Sequence, residues 1–265
     1  MIPHSHSPCL TKDYMVIKLD SFEGHFSWNP NVNGVLTTSR QKEDNLWMVL
    51  DRKTNESFLS ESNLSFVNNH FWNCYQSKED IIVDSVASTH DYLFQYFRHN
   101  TDRMITDWEN LFKPPQRCII KTKEKKVHCS DLLNVKRYFD YPTYDPRLKT
   151  QGPPRYKEFY AISPQSTSSR WFDSIIKVDV ASAQIVAEKN YPKYQFVSEA
   201  DFIPTPNQET GVLITIVYDQ MLDKSFVDFL DSKTLGTLDS IPLDFVIPFH
   251  AHGIICADGE CYPNP

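Results

Sequence analysis

Glycine is scarce, at 7 of 265 residues, where ordinary usage would give about 18. The scarcity excludes whole function classes. A phosphate-cradling loop or a dinucleotide fingerprint needs two or three glycines at fixed spacing, and no such spacing occurs. No apolar run approaches the ~20 residues of a membrane span. The opening Met1-Ile2-Pro3-His4-Ser5-His6 has neither the basic segment nor the apolar stretch of a secretory signal. Positive charge is also short. Against 34 Asp and Glu stand 27 Lys and Arg, a net charge of −7, which argues against a nucleic-acid partner. The six cysteines, Cys9, Cys74, Cys118, Cys129, Cys256 and Cys261, form no Cys-x-x-Cys pair. Without a leader they read as reduced thiols, and the cytoplasm is the expected compartment. The sequons at Asn55 and Asn63 read as chance matches for the same reason.

What the chain does hold is short β-type runs. Tyr14 to Leu19, Leu46 to Leu50, Ile81 to Val86, Ile175 to Val180, Gly211 to Tyr218 and Phe226 to Leu230 are rich in Ile, Val and aromatics. Asp, Asn, Pro or Ser bound them, which predicts strands. Asp91 to Leu111 is the one helix candidate, with its spacing broken at Asn100-Thr101-Asp102. The basic stretch Lys113 to Lys126 reads as a solvated loop or hairpin tip. A weak repeat runs through the chain: Leu50-Asp51-Arg52-Lys53-Thr54, Val178-Asp179-Val180-Ala181-Ser182 and Leu230-Asp231-Ser232-Lys233-Thr234. Each closes a strand in a polar turn whose Asp is placed to accept backbone N–H groups, a position glycine often fills. Asp179 and Asp231 stand about one propeller blade apart. A sandwich would also give short strands.

Nine histidines make an all-nitrogen metal site feasible. His25, His90, His99 and His128 read as ordinary surface or core residues. His4 with His6 and His250 with His252 are i, i+2 pairs, which a strand would place on one face.

Eight segments, in order along the whole chain, together resemble the carotenoid cleavage oxygenase family. His6-Ser7-Pro8-Cys9-Leu10-Thr11-Lys12-Asp13-Tyr14 resembles its H-S-F-x-x-T-x-N/H-Y element. Leu50 to Thr54 resembles I-D-R-K-T, and His70-Phe71-Trp72-Asn73-Cys74-Tyr75 resembles the H-x-x-N segment. Ile81-Ile82-Val83-Asp84 and Phe139-Asp140-Tyr141-Pro142 are similar to I-V-V-D and F-E-F-P. Phe172 to Asp179 is similar to P-D-x-L-x-K-V-D. Ser198-Glu199-Ala200-Asp201-Phe202-Ile203-Pro204 resembles S-E-P-I/V-F-V-P, and Ile247 to Gly253 resembles V-P-F-G-F-H-G.

The resemblance implies an all-β, seven-bladed β-propeller, here incomplete. Residues 1–265 would be the C-terminal blades of a larger domain. It implies Fe(2+) held by four histidines, of which His6, His70 and His252 match three. The fourth precedes His6 in the family, as does one of three orienting glutamates. His4 and His250 fall outside the ligand positions. Glu199 matches the acid that would orient His252, and Asp140 the one that would orient His70. Asp140 stands where the family has Glu and is one methylene shorter.

Ring N–H groups of metal-bound histidines are commonly fixed by such carboxylates, and neutral imidazoles leave an open iron position for O₂. The implied reaction cleaves a carbon–carbon double bond of a carotenoid or apocarotenoid with O₂ to give carbonyl products. The partners are therefore an apolar polyene and O₂, with no clear protein partner. Phe66, Phe71, Trp72 and Tyr75 are candidate tunnel aromatics, although most aromatics are expected in blade cores.

A retinoid isomerohydrolase on the same scaffold is an alternative within retinoid metabolism. The other is a truncated propeller acting only as a binding or structural module. The chain alone is expected to bind iron weakly and not to turn over. Peripheral membrane association through an apolar patch is compatible with the family.

Overall fold

In the computed structural model the chain is described over residues 2–4, 8–22, 25–29, 34–38, 45–89, 113–135, 137–148, 156–166, 168–169, 171–206, 210–247, 252–253, 255–257 and 260–262. The helix candidate Asp91 to Leu111 lies outside these residues, as do the side chains of His4, His6 and His250. Two compact units divide the chain. The first is Met1–Met104 with Asn110–Leu132 and Gln151–Pro153, and the second is Ile105–Glu109 with Leu133–Thr150 and Pro154–Pro265.

The first unit holds strands β1 (Ile2–His4), β2 (Cys9–Leu10), β3 (Tyr14–Phe22), β4 (His25–Asn29), β5 (Gly34–Thr38), β6 (Asn45–Asp51), β7 (Ser57–Glu61), β8 (Val67–Ser77), β9 (Asp80–Ser88), β10 (Gln116–Lys121) and β11 (Lys126–Asp131). They form an antiparallel sheet β1-β3-β6-β7 with β2 on β3, a sheet β11-β10-β9-β8, and the hairpin β4-β5. β9 is buried on both faces from Ile81 to Ser88, its polar Asp84, Ser85 and Ser88 included. Its Ile81, Val83 and Ala87 pack with Val16, Trp47, Val49, Phe66 and Ile120 in one core. Lys113 to Lys126 becomes the β10–β11 hairpin, with its turn at 122–125.

A lysine is buried in this core. Lys18 pairs with Asp20 at 0% and 1% side-chain exposure and lies 4.7 Å from the centre of the Phe66 ring. Asn68 N donates to Asp20 Oδ2 at 3.3 Å, and Ser85 Oγ donates to the Asn68 side-chain Oδ1 at 2.5 Å. The hydrogen bonds offset the desolvation that makes a lone buried charge costly.

The second unit holds β12 (Asp140–Thr143), β13 (Glu158–Ser163), β14 (Ser174–Asp179), β15 (Gln184–Asn190), β16 (Gln195–Pro204), β17 (Gly211–Asp219), β18 (Lys224–Asp231), β19 (Thr237–Pro242), β20 (Ile255–Ala257) and β21 (Glu260–Tyr262). They make two four-stranded antiparallel meanders, β12-β13-β14-β15 and β16-β17-β18-β19, and the hairpin β20-β21. Burial alternates strictly along β17, the signature of a sheet with one buried face. Among the described residues the only helical turn is a 3-10 turn at Pro146–Leu148.

The repeated Asp does what its position predicts. Asp51 Oδ1 accepts from the Lys53 and Thr54 amides at 2.8 and 3.1 Å. Asp179 Oδ1 accepts from Ser182 N at 2.7 Å. Asp231 Oδ1 accepts from Lys233 N and Thr234 N at 3.1 and 2.8 Å. A fourth copy went unseen in the sequence: Asp219 Oδ1 takes Met221 N and Leu222 N at 2.9 and 3.0 Å. Each turn then passes through a left-handed residue four positions on, namely Asn55, Ala183, Asp223 and Leu235, with φ between 49° and 60°. Glycine ordinarily fills such positions; here side-chain-bearing residues do. The low glycine content thus reflects turns held by carboxylates.

The reduced-thiol expectation is corrected. Disulfides join Cys9 to Cys74 and Cys118 to Cys129, and Cys256, opposite Cys261 in the β20–β21 ladder, is disulfide-bonded. Sheet register creates the second bridge: Cys118 and Cys129 are cross-strand partners on β10 and β11, which sequence spacing does not reveal. The thiol argument for a reducing compartment falls away. At Asn63 the side-chain amide is occupied, since Nδ2 donates to Cys129 O at 3.0 Å and Oδ1 accepts from Cys129 N at 2.7 Å.

Candidate metal centre

Glu199 sits on β16 where the ladder to β17 slips between Val197 and Ala200, a bulge that re-aims side chains. Thr215 on β17 fixes the slip. Its buried hydroxyl bridges the backbone carbonyls of Ser198 and Glu199, at 2.9 and 3.2 Å. The Glu199 side chain, 5% exposed, places Oε2 3.3 Å from His252 Nδ1, and the His252 ring is half-exposed. Gly253 N donates to the same carboxylate oxygen at 3.3 Å. One acid therefore grips both the ring and the backbone that carries it. With Nδ1 protonated and donating to Glu199, Nε2 is the nitrogen that ligation would use.

Asp140 begins β12 in the same unit and is buried. Its Oδ1 accepts from Tyr141 N at 2.9 Å and its Oδ2 from the Tyr138 hydroxyl at 3.3 Å. Tyr141 adopts φ 51° at a register slip between Asp140 and Thr143. A bulky residue in that region is strained, and such strain gathers at functional sites. Its ring centre lies 5.4 Å from that of His252.

The hydrogen bond with Glu199 holds the His252 ring above the ordinary imidazole range. Burial opposes this, and the charges of Glu199, Asp140 and Asp201 add to the rise. Asp140, matched above to the acid that would orient His70, thus also acts electrostatically on His252.

Asp201 went unseen in the sequence. It fills the slot where the resembling motif carries Ile or Val, and a carboxylate in an apolar slot was the available signal. Burial and then Glu199 push its carboxyl up to about 7, while His252 pulls it back.

In the first unit His70 lies half-buried on β8, in a stretch where the ladder to β9 slips twice. The Asn and Asp of the neighbouring motifs serve one network there. Asn73 Nδ2 donates to Asp84 Oδ2 at 2.7 Å, and Arg117 grips Asp84 through two bonds at 2.7 and 2.8 Å. Of the candidate tunnel aromatics, Phe66 belongs to the core and Phe71 stacks on Trp47 at 5.9 Å. Trp72 and Tyr75 are also buried. His6 lies outside the described residues. Among the described residues no three His, Cys, Asp or Glu side chains are grouped to hold a metal. The donor chemistry at His252, an imidazole whose Nδ1 faces a buried carboxylate, fits a metal ligand.

The family model described as retinal pigment epithelial membrane protein matches residues 2–255. A carotenoid dioxygenase of Neurospora crassa is 28% identical over 145 residues, 54% of this chain and 23% of that protein. A glutamate-to-aspartate variant of Synechocystis apocarotenoid oxygenase is similar in structure at TM-score 0.73 and 19% identity, over 99% of this chain and 53% of that one. The cobalt-substituted form of that oxygenase gives TM-score 0.69 and 18% identity, over 94% and 52%. The chain spans about half the length of these solved relatives. The likeness makes the fold all-β and of the β-propeller type, with the four- and five-stranded sheets as blades.

Proposed function

The chain belongs to the retinal pigment epithelial membrane protein family, and on that premise we propose that it serves an iron-dependent dioxygenase that splits a carbon–carbon double bond of a carotenoid or apocarotenoid. The balance is simple: one double bond and one O₂ become two carbonyl groups. Iron(II), held by His6, His70 and His252, would supply the activation of O₂ that the polyene alone does not undergo.

The observation that carries the reading is the Glu199–His252 contact at 3.3 Å. In this reading Glu199 keeps the Nδ1 proton on the ring and presents Nε2 as a neutral donor. Thr215 holds the bulge from which Glu199 reaches. Tyr141 covers the ring and limits water on that side. Asp140 keeps Tyr141 in its left-handed conformation by taking the Tyr141 amide. These residues orient and shield; none needs to transfer a proton. The carotenoid dioxygenase among the relatives favours cleavage over retinoid isomerohydrolysis.

The test is incubation of the iron-loaded chain with a conjugated apocarotenal under isotopically heavy dioxygen. Carbonyl fragments carrying the label support the reading. Three histidines are one fewer than the family's four, so weak loading is expected and labelled fragments are expected only once the fourth ligand is supplied by a longer chain. A chain that takes up no iron overturns it.

A further inference from the structure

We propose that Asp201 is a positioning residue for a cation at His252, a second carboxylate that acts through the His252–Gly253 corner together with Glu199. The inference rests on the reading of His252 as a metal ligand and deepens it.

Asp201 and Glu199 stand two residues apart on β16, and both reach the same short segment. Glu199 Oε2 takes the Gly253 amide at 3.3 Å. A Cβ added at Gly253 would lie 3.5 Å from Asp201 Oδ2, so the Asp201 carboxylate packs against the backbone beside His252. Its other oxygen, Oδ1, is buried and has no hydrogen-bond partner. A buried acceptor without a donor is destabilising and needs a compensating reason. A nearby cation supplies one, because it offsets the unmet charge electrostatically.

Two carboxylates this close repel each other, and the repulsion is relieved by positive charge on the imidazole side. A negative charge behind an imidazole makes the ring a stronger donor to a metal. The family motif quoted above has Ile or Val at this slot, so the second acid is a property of this chain. Its consequence is a more negative ligand environment around one histidine, which favours a divalent cation.

The test is titration of the full chain with Co(II), followed by its visible absorption, for wild type, Asp201→Asn, Asp201→Val, Asp201→Glu and His252→Ala. Thermal midpoints are measured in parallel. The expected result is Co(II) affinity lowered about tenfold in Asp201→Asn and Asp201→Val, within the range for residues that support metal ligands. Asp201→Glu should recover affinity and band position, and all variants should melt close to wild type.

Unchanged affinity and absorption in Asp201→Asn and Asp201→Val, with binding still lost in His252→Ala, overturns the role of Asp201 and leaves the metal reading intact. A large fall in thermal midpoint without recovery in Asp201→Glu marks a purely structural role and also overturns it. Wild type that binds no Co(II) overturns both the inference and the reading beneath it.

Discussion

Glu199 and His252 are separated by 53 positions in the chain, yet Glu199 Oε2 lies 3.3 Å from His252 Nδ1. The approach depends on the β16 bulge and on Thr215, which holds the carbonyls of Ser198 and Glu199. The acid and the ring therefore form a unit made by the sheet. Because the Glu199 hydrogen bond is the largest cause of the raised His252 titration, Glu199→Gln should lower it toward the ordinary value near 6.5. Nitrogen-detected NMR of the labelled ring measures this directly. A His252 titration unmoved by the substitution contradicts the pairing.

Acid should weaken the second unit through its turns. The Asp179 and Asp231 carboxyls are held below the usual range, first by side-chain hydrogen bonds from Ser182 and Thr234. A depressed carboxyl contributes stability above its unfolded value near 3.9, and that stability is lost as pH falls through the folded value. Asp179→Asn with Asp231→Asn keeps an acceptor at each turn without the titrating charge. Denaturation midpoints should therefore depend less on pH below about 4 in the double variant than in wild type. Equal slopes contradict the assignment.

Ala183 has φ 55°, a conformation that costs an L-residue about 1–2 kcal/mol and glycine almost nothing. Ala183→Gly should stabilise the protein by about 0.5–1 kcal/mol, after glycine's larger entropy loss on folding is deducted. Chemical denaturation checks the sign. A destabilised variant shows that the side chain outweighs the strain.

Much of this fold was legible because its signals are local. The Ile- and Val-rich segment Ile81 to Val86 and the segment Gly211 to Tyr218 gave strands where β9 and β17 lie. The Asp turns were legible because an Asx bond spans only two or three residues. Glu199 and His252 were visible through motifs in their separate segments. What escaped depends on register. The Cys118–Cys129 pair exists because β10 and β11 align those positions, and the environment of Asp201 exists because Gly253 comes to rest beside it. Neither relation can be read from spacing along the chain. The Asp219 turn escaped because Met221 and Leu222 hide an Asx pattern that Ser or Thr would have announced.

Thiol titration of the denatured, unreduced protein should find Cys9, Cys74, Cys118 and Cys129 unreactive, and peptide mapping should recover Cys9 with Cys74 and Cys118 with Cys129. Replacing Cys118 and Cys129 together with Ser should cost about 2–4 kcal/mol. Four reactive thiols contradict both bridges.

The most direct test of the central claim is anaerobic equilibrium dialysis of Fe(II) against wild type and His252→Ala. Saturable iron uptake by wild type that His252→Ala weakens at least about tenfold is the predicted result. Equal uptake by the two, or none by wild type, contradicts the assignment of His252 as an iron ligand oriented by Glu199.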